Sequence, residues 1–328
     1  MGLLIDGVWR DDSYDKARFQ NGRFVRPATR YRNFVTSDGS PGPSGEGGFP
    51  AEKGRYHLYV SYACPWAHRT IIFRRLKELE GTVSMSVVSW HMGDQGWTFD
   101  RGEGSSGDEV NGKAKLSEIY LLADERYTGR VSVPVLWDKQ RKTIVNNESS
   151  EIIRMLNSSF EAFTNERTDY YPQELRVDID RVNELVYTTV NNGVYRTGFA
   201  TSQEAYEEAF RSLFKTLDEL ENKLSQQRYL AGNRLTEADW RLFPTLIRFD
   251  AVYVGHFKCN LRRIADYPNL SNYLRDLYQV PGVAETVKID HIKRHYYGSQ
   301  RKLNPTGIVP LGPVLDFSAP HDRARFTN

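Results

Sequence analysis

The stretch Ser61-Tyr62-Ala63-Cys64-Pro65-Trp66-Ala67-His68-Arg69-Thr70 constrains the fold of this chain more than any other. It follows an alternating apolar run, His57 to Tyr62, that predicts a strand. It precedes the pattern Thr70-Ile71-Ile72-Phe73-Arg74-Arg75-Leu76, which predicts a helix. Cys64 therefore stands where a strand passes into a helix. There it faces the backbone N–H groups of the first turn and the positive end of the helix dipole, both of which favour thiolate over thiol. Pro65 suits the first helical position, where a missing N–H costs nothing. A cysteine can also be a buried small apolar residue. The junction and Pro65 outweigh that reading for Cys64; for Cys259, in Gly255-His256-Phe257-Lys258-Cys259-Asn260, the weighting is reversed.

The chain has 2 cysteines, and Ala67 occupies the place where a C-x-x-C redox motif would put its second thiol. A lone thiolate that forms a mixed disulfide has to be released by a thiol from solution, which points to glutathione as co-substrate. With 44 basic and 42 acidic residues the net charge is +2, too even to draw the chain to phosphate backbones or anionic lipid, so no nucleic-acid partner is expected. No apolar run reaches the length of a membrane span, and the N-terminus lacks the pattern of a secretory signal; no membrane partner and a cytoplasmic location are expected. Met1-Gly2 is not read as a myristoylation start, because Asp6 stands where that motif needs Ser or Thr.

The 328 residues suit two domains. Residues 1–50, ending in a Gly/Pro/Ser-rich run, show neither regular period and read as an arm and linker. Residues 51–160 read as strand (Tyr56 to Ser61), helix (Pro65 to Glu80) and strand (Val83 to Trp90). A loop through Gly93 to Gly112 and a short helix near Lys115 to Asp124 follow. Pro134, inside Val131-Ser132-Val133-Pro134-Val135-Leu136-Trp137, is compatible with a strand only at its start, and a cis Val133–Pro134 bond is expected there. A hairpin closing near Thr143 to Val145 and a helix opening at Asn146 to Glu151 complete a β-α-β half followed by a β-β-α half. That is the thioredoxin plan, with a mixed sheet. Residues 170–300 are helical, with amphipathic stretches at Gln203 to Leu224 and Asn269 to Tyr278, and Thr236 and Asp239 at capping-box spacing. Residues 301–328 read as an extended, Pro- and Gly-rich tail. The fold class is thus α/β plus all-α.

A thioredoxin-like domain that binds glutathione needs main-chain pairing from the segment before the cis proline, an anion site for the γ-glutamyl carboxylate, and a cover. Arg130, Val131, Ser132 and Val133 can supply the first. Glu148 and Ser149, at a helix N-terminus, can supply the second through free N–H groups, a hydroxyl and an acceptor for the α-amino group, although Ser149 can also be a plain helix cap. Trp97 is a candidate aromatic wall. The helical part is rich in tyrosine (Tyr187, Tyr195, Tyr206, Tyr229, Tyr253, Tyr296 and Tyr297), and phenols that donate to a thiolate or protonate a leaving centre suit an aromatic substrate. His291 and His295 lie four apart without a third ligand, so no metal is expected.

Ser61 to Arg69, Gly96 to Phe99, Arg130 to Asp138 and Asn146 to Arg154 together resemble the nucleophile and glutathione-site segments of the glutathionyl-hydroquinone reductases, also called Xi-class glutathione transferases. Asn191 to Ala200, Arg248 to Cys259, Asp290 to Tyr297 and Asn304 to Ile308 resemble that family's substrate-domain blocks, so the likeness spans nearly the whole chain. The resemblance implies a glutathione-transferase-like helical C-terminal domain and glutathionylated aromatic small molecules as substrates. It makes Cys64 the nucleophile and Tyr195 the proton donor to the departing ring carbon, with Tyr253 and Tyr296 holding the thiolate. It assigns glutathione to Trp97, Arg130 to Val133, Glu148 and Ser149, and implies a homodimer. Two other readings stay open: an omega-like thiol transferase or dehydroascorbate reductase, and a non-catalytic binder of aromatic ligands.

Overall fold

The computed structural model describes residues 2–11, 19–102 and 104–326. The described chain forms two compact units that alternate along the sequence: residues 2–11, 28–168 and 290–301 make the first, and 19–27, 169–289 and 302–326 the second. This differs from the sequential division that composition predicts, and the arm shows why. Strands β1 (Gly2–Ile5) and β2 (Val8–Asp11) pair antiparallel across Asp6-Gly7, whose φ values of 48° and 75° are those of a type I′ turn. Strands β3 (Phe19–Gln20) and β4 (Arg23–Phe24) do the same across Asn21-Gly22, with φ of 48° and 77°. Both dipeptides tolerate the left-handed conformation, and each folds a short stretch back on itself. The first hairpin joins the first unit, where Leu3 and Leu4 pair with Arg130 and Gly129. The second joins the other unit, where Arg23 Nε donates to Glu208 at 2.9 Å.

In the first unit a four-stranded sheet has the order β11-β10-β5-β6, with β5 (Tyr56–Val60) running parallel to β6 (Ser84–Val87). The antiparallel partners are β10 (Val135–Asp138) and β11 (Thr143–Asn146). All residues of β5 are buried, as a central strand requires. Between β5 and β6 runs helix α1 (Pro65–Leu76), which stops short of Glu80 because Glu78 takes a left-handed φ of 52°. The loop expected after β6 contains a small hairpin, β7 (Met92–Gly93) and β8 (Gly96–Trp97), followed by α2 (Leu116–Ala123) and β9 (Gly129–Arg130). The Val133–Pro134 bond is cis and opens β10, as the sequence predicts. Helix α3 (Ser149–Ser158) then packs on α1.

The second unit is helical: α4 (Arg176–Val186), α5 (Gly193–Gly198), α6 (Gln203–Leu224), α7 (Glu237–Arg248) and α8 (Pro268–Tyr278). Two π-helical turns, Tyr187–Asn191 and Phe249–Tyr253, interrupt the regular pattern. Thr236 and Asp239 form the capping box at the start of α7 that their spacing predicts. Most of helix α9 (Ile289–Ser299) belongs to the first unit, and the tail from Lys302 returns to the second.

Candidate active site

Cys64 is the N-cap of α1, in extended conformation (φ −77°, ψ 121°), with Pro65 behind it at the first helical position. Its carbonyl accepts from His68 N at 3.0 Å, starting the helical ladder, and its N–H donates to Ser61 O at 3.2 Å. No acidic residue stands in the first turn, so nothing there opposes negative charge at the helix start. The half-buried thiol donates to the carbonyl of Val133 at 3.5 Å. The cysteine therefore lies against the residue that precedes the cis proline, 69 positions along the chain.

The segment before Pro134 is braced from behind by tyrosines. Tyr120 is fully buried; its hydroxyl donates to Ser132 O at 2.8 Å and accepts from Ser132 N at 3.3 Å and from Asn147 Nδ2 at 3.1 Å. Tyr127 donates to Arg130 O at 3.1 Å. Both peptide groups of Ser132 are thus turned to Tyr120. At the start of α3 the cap is Glu148, not Ser149: Glu148 Oε1 accepts from Ser150 N at 3.1 Å and Ser150 Oγ at 3.0 Å. Ser149 is the first helical residue, and its hydroxyl lies 3.4 Å from Nη1 of the buried Arg69. Arg69, which also lies 4.7 Å over the Trp66 ring, brings a guanidinium from the Cys64 helix to the predicted anion site. Its only local signal is its place in the Cys64 motif.

Trp97, on β8, is 5 % exposed and stacks face to face on His295 at 4.8 Å and 19°. His295 Nδ1 donates to Trp90 O at 2.9 Å, and Ser299 Oγ accepts from Met92 N at 3.0 Å. Helix α9 so backs the Trp97 hairpin, and it carries Tyr296, 2 % exposed, edge-on to His295 at 5.3 Å. His291, 4 % exposed, meets the Tyr62 ring edge-on at 5.7 Å, so both histidines of this helix pack against aromatic rings. Among the described residues no group of three or more His, Cys, Asp or Glu is placed to hold a metal.

The second unit brings Tyr195 and Tyr253 together, ring centroids 6.2 Å apart. Tyr195 stands on α5 with Arg26 over its ring at 4.9 Å, and Tyr253 ends the second π turn, stacked on Phe257 at 5.4 Å. Phe199 closes the cluster, 5.1 Å from Phe257.

Residues 63–159 match the family described as Glutathione S-transferase, N-terminal domain, and residues 203–276 the corresponding C-terminal domain. The chain is 57 % identical to the glutathionyl-hydroquinone reductase YqjG of Escherichia coli over 98 % of both chains. It is also 57 % identical to the glutathionyl-hydroquinone reductase PcpF of Sphingobium chlorophenolicum, over 96 % of this chain and 97 % of that one. The glutathione-bound structure of E. coli YqjG superposes with a TM-score of 0.91, covering 98 % of this chain and 99 % of that one at 55 % identity. The Xi-class transferase of Natrialba magadii superposes at 0.92, with 48 % identity over 99 % and 98 % of the chains. The chain belongs to the glutathionyl-hydroquinone reductase family.

For a reductase of this family the second thiol is as informative as the first. Cys259 is fully buried, and burial pushes its ionisation far above the ordinary thiol range. Its Sγ donates to Phe257 O at 3.8 Å. Neither cysteine is in a disulfide. Among the described residues no helix is long and apolar enough to cross a membrane.

Proposed function

We propose that this protein reduces glutathionyl-hydroquinones to hydroquinones at the expense of glutathione. The observation that carries the reading is the half-buried Cys64 thiol at a helix start, 3.5 Å from the carbonyl before a cis proline, while the second cysteine is sealed in the core of the other unit. Cys64 thiolate attacks the sulfur of the conjugate, forming the Cys64–glutathione disulfide as the ring carbon–sulfur bond breaks. The departing ring carbon takes the bonding pair and the phenolic proton of Tyr195, which is restored from water. A second glutathione thiolate then attacks the glutathionyl sulfur of the mixed disulfide, releasing glutathione disulfide and Cys64 thiolate. One conjugate and one glutathione become hydroquinone and glutathione disulfide: the ring is reduced by two electrons and two sulfurs are oxidised.

In this scheme glutathione pairs with the main chain of the Arg130–Val133 segment, sets its γ-glutamyl end at Glu148 and Ser149, and is covered by Trp97. Tyr253 and Tyr296 donate to the Cys64 thiolate. Residues 51–160 with α9 form the glutathione half of the enzyme and the tyrosine-bearing helices the aromatic half. The working form is a homodimer in the cytoplasm.

Mass spectrometry after one turnover without free glutathione is expected to show a glutathione adduct on Cys64. Cys64→Ser is expected to form no adduct and to be inactive; turnover by that variant would end the scheme. Tyr195→Phe is expected to lower kcat on the conjugate by about 10²-fold, the usual worth of a positioned proton donor, with little loss on a small glutathione disulfide substrate. Equal losses on both substrates would favour a general thiol transferase instead.

A further inference from the structure

The hairpin that carries Trp97 is too small to hold it. Its ladder is the two pairs Met92–Trp97 and Gly93–Gly96, and so short a ribbon has little stability of its own. One side is backed by α9, through the His295 stack and the Ser299 contact. The other side is closed by a residue from the start of the chain. Trp9, half-buried on β2, donates from Nε1 to Asp94 O, in the hairpin turn, at 2.8 Å. Its six-membered ring lies so close on Gly96 that a Cβ there would stand 2.6 Å from Cη2, and Gly96 already takes a left-handed φ of 72°. The strand paired with β2 reaches the segment before the cis proline, since Leu3 pairs with Arg130. The same connection is tied by Asp6 N to Thr128 Oγ1 at 2.8 Å and Gly7 N to Tyr127 O at 3.1 Å. The flanking Val8, Arg10 and Asp11 are exposed, so β2 contributes little to the core besides this indole.

We infer that the N-terminal hairpin is a clasp on the glutathione site and that Trp9 is a positioning residue acting through Trp97. The inference rests on the proposed contact between Trp97 and glutathione. Trp9 touches the turn and Gly96, the neighbour of Trp97; loss of its indole frees the hairpin to shift and weakens glutathione capture, while the Cys64 chemistry stays intact.

A double-mutant cycle tests this in the full-length protein. Trp9→Ala is expected to raise KM for the glutathionyl conjugate, whose glutathionyl part fills the site under Trp97, about tenfold, the scale of one lost hydrogen bond with its packing. kcat at saturating conjugate and glutathione should stay within about twofold of the parent. Trp97→Ala is expected to raise KM at least as much, and Trp9→Ala added to it should raise KM no further, because a residue that acts through another is not additive with it. An unchanged KM in Trp9→Ala, or full additivity with Trp97→Ala, overturns the clasp. An unchanged KM in Trp97→Ala overturns the assignment of Trp97 to glutathione, and the clasp with it. If Trp9→Ala does not fold, Trp9→Phe carries the test: it keeps a ring over Gly96, loses the indole donor, and should raise KM about threefold in the parent and not at all beside Trp97→Ala.

Discussion

His57 sits in the middle of the first unit's sheet, on β5, 1 % exposed. Its Nδ1 shares a hydrogen with Ser84 Oγ at 2.8 Å, its ring meets Tyr59 edge-on at 4.6 Å, and its Nε2 is buried with no hydrogen-bond partner among the described residues. A proton added at Nε2 would be a charge without water or acceptor. Burial accordingly pushes the pKa down from 6.5 to about 3, with Asp108 opposing the shift and Lys139 and Arg74 adding to it. The unfolded chain takes up that proton near pH 6.5 and the folded chain only near pH 3, so between these values the unfolded state binds more protons and acid favours it. Stability from this group is full above about pH 6.5 and declines as the pH falls toward 3, by about 2 kcal/mol at pH 5. Urea unfolding at pH 8, 6 and 5 should show that decline, and His57→Gln, which still reaches Ser84, should flatten it. A slope unchanged in the variant would assign the acid sensitivity to other groups.

At the scale of elements, both proposed site phenols of the second unit sit in or just after a departure from regular helix. Tyr253 ends the π turn after α7, and Tyr195 follows the π turn Tyr187–Asn191. Asn191, 3 % exposed, ties the first of these turns to α7 by donating from Nδ2 to Thr245 Oγ1 at 2.7 Å and Arg241 O at 3.2 Å. Asn191→Leu keeps the volume but strands those acceptors, and is expected to cost about 1–3 kcal/mol of stability. By shifting α5 it should also lower kcat on the conjugate several-fold, with glutathionylation of Cys64 by a small disulfide unaffected; equal losses in both assays would make its role purely structural. Regular elements were legible in the residues: α6 runs from Gln203 to Leu224 as its period predicts, behind a Ser202 cap. The Cys64 junction and the cis Val133–Pro134 bond were legible because cysteine and proline each carry a local constraint. A π turn differs from an α turn by one step of hydrogen-bond register, which packing decides and residue type does not mark. The β1–β2 hairpin did leave a signal, Asp6-Gly7 between Ile5 and Val8, but four-residue strands are too short for alternation to stand out. The stacking of His295 on Trp97 left none, since it joins distant segments through shape alone.

On the scale of the whole molecule, each chain end closes on a unit that is not continuous with it in sequence. The N-terminal hairpin pairs with β9, and the C-terminal tail carries a short 3-10 turn, Arg323–Phe326, on the second unit. Arg323 is fully buried there: Nη1 donates to Leu224 O at 2.7 Å, and Nη2 to Gln227 O at 2.5 Å and Arg228 O at 2.6 Å. Leu224 is the last residue of α6, so the guanidinium caps the negative end of the longest helix in the unit, where carbonyls lack helical partners. The planar fork presents donors on two fixed nitrogens that reach three carbonyls set apart around the turn, whereas an ammonium gathers its donors on one nitrogen at the end of a flexible stem. Arg323→Ala should therefore lower unfolding stability by about 3 kcal/mol, because it strands buried acceptors, and Arg323→Lys should recover only part of that. Arg325 pairs with Asp322 at the half-exposed surface, and Arg325→Ala should cost under about 1 kcal/mol. Denaturant titration of the three variants separates the cases: comparable small losses at 323 and 325 would mean that α6 closes without the tail, and that residues 302–326 are held by other contacts.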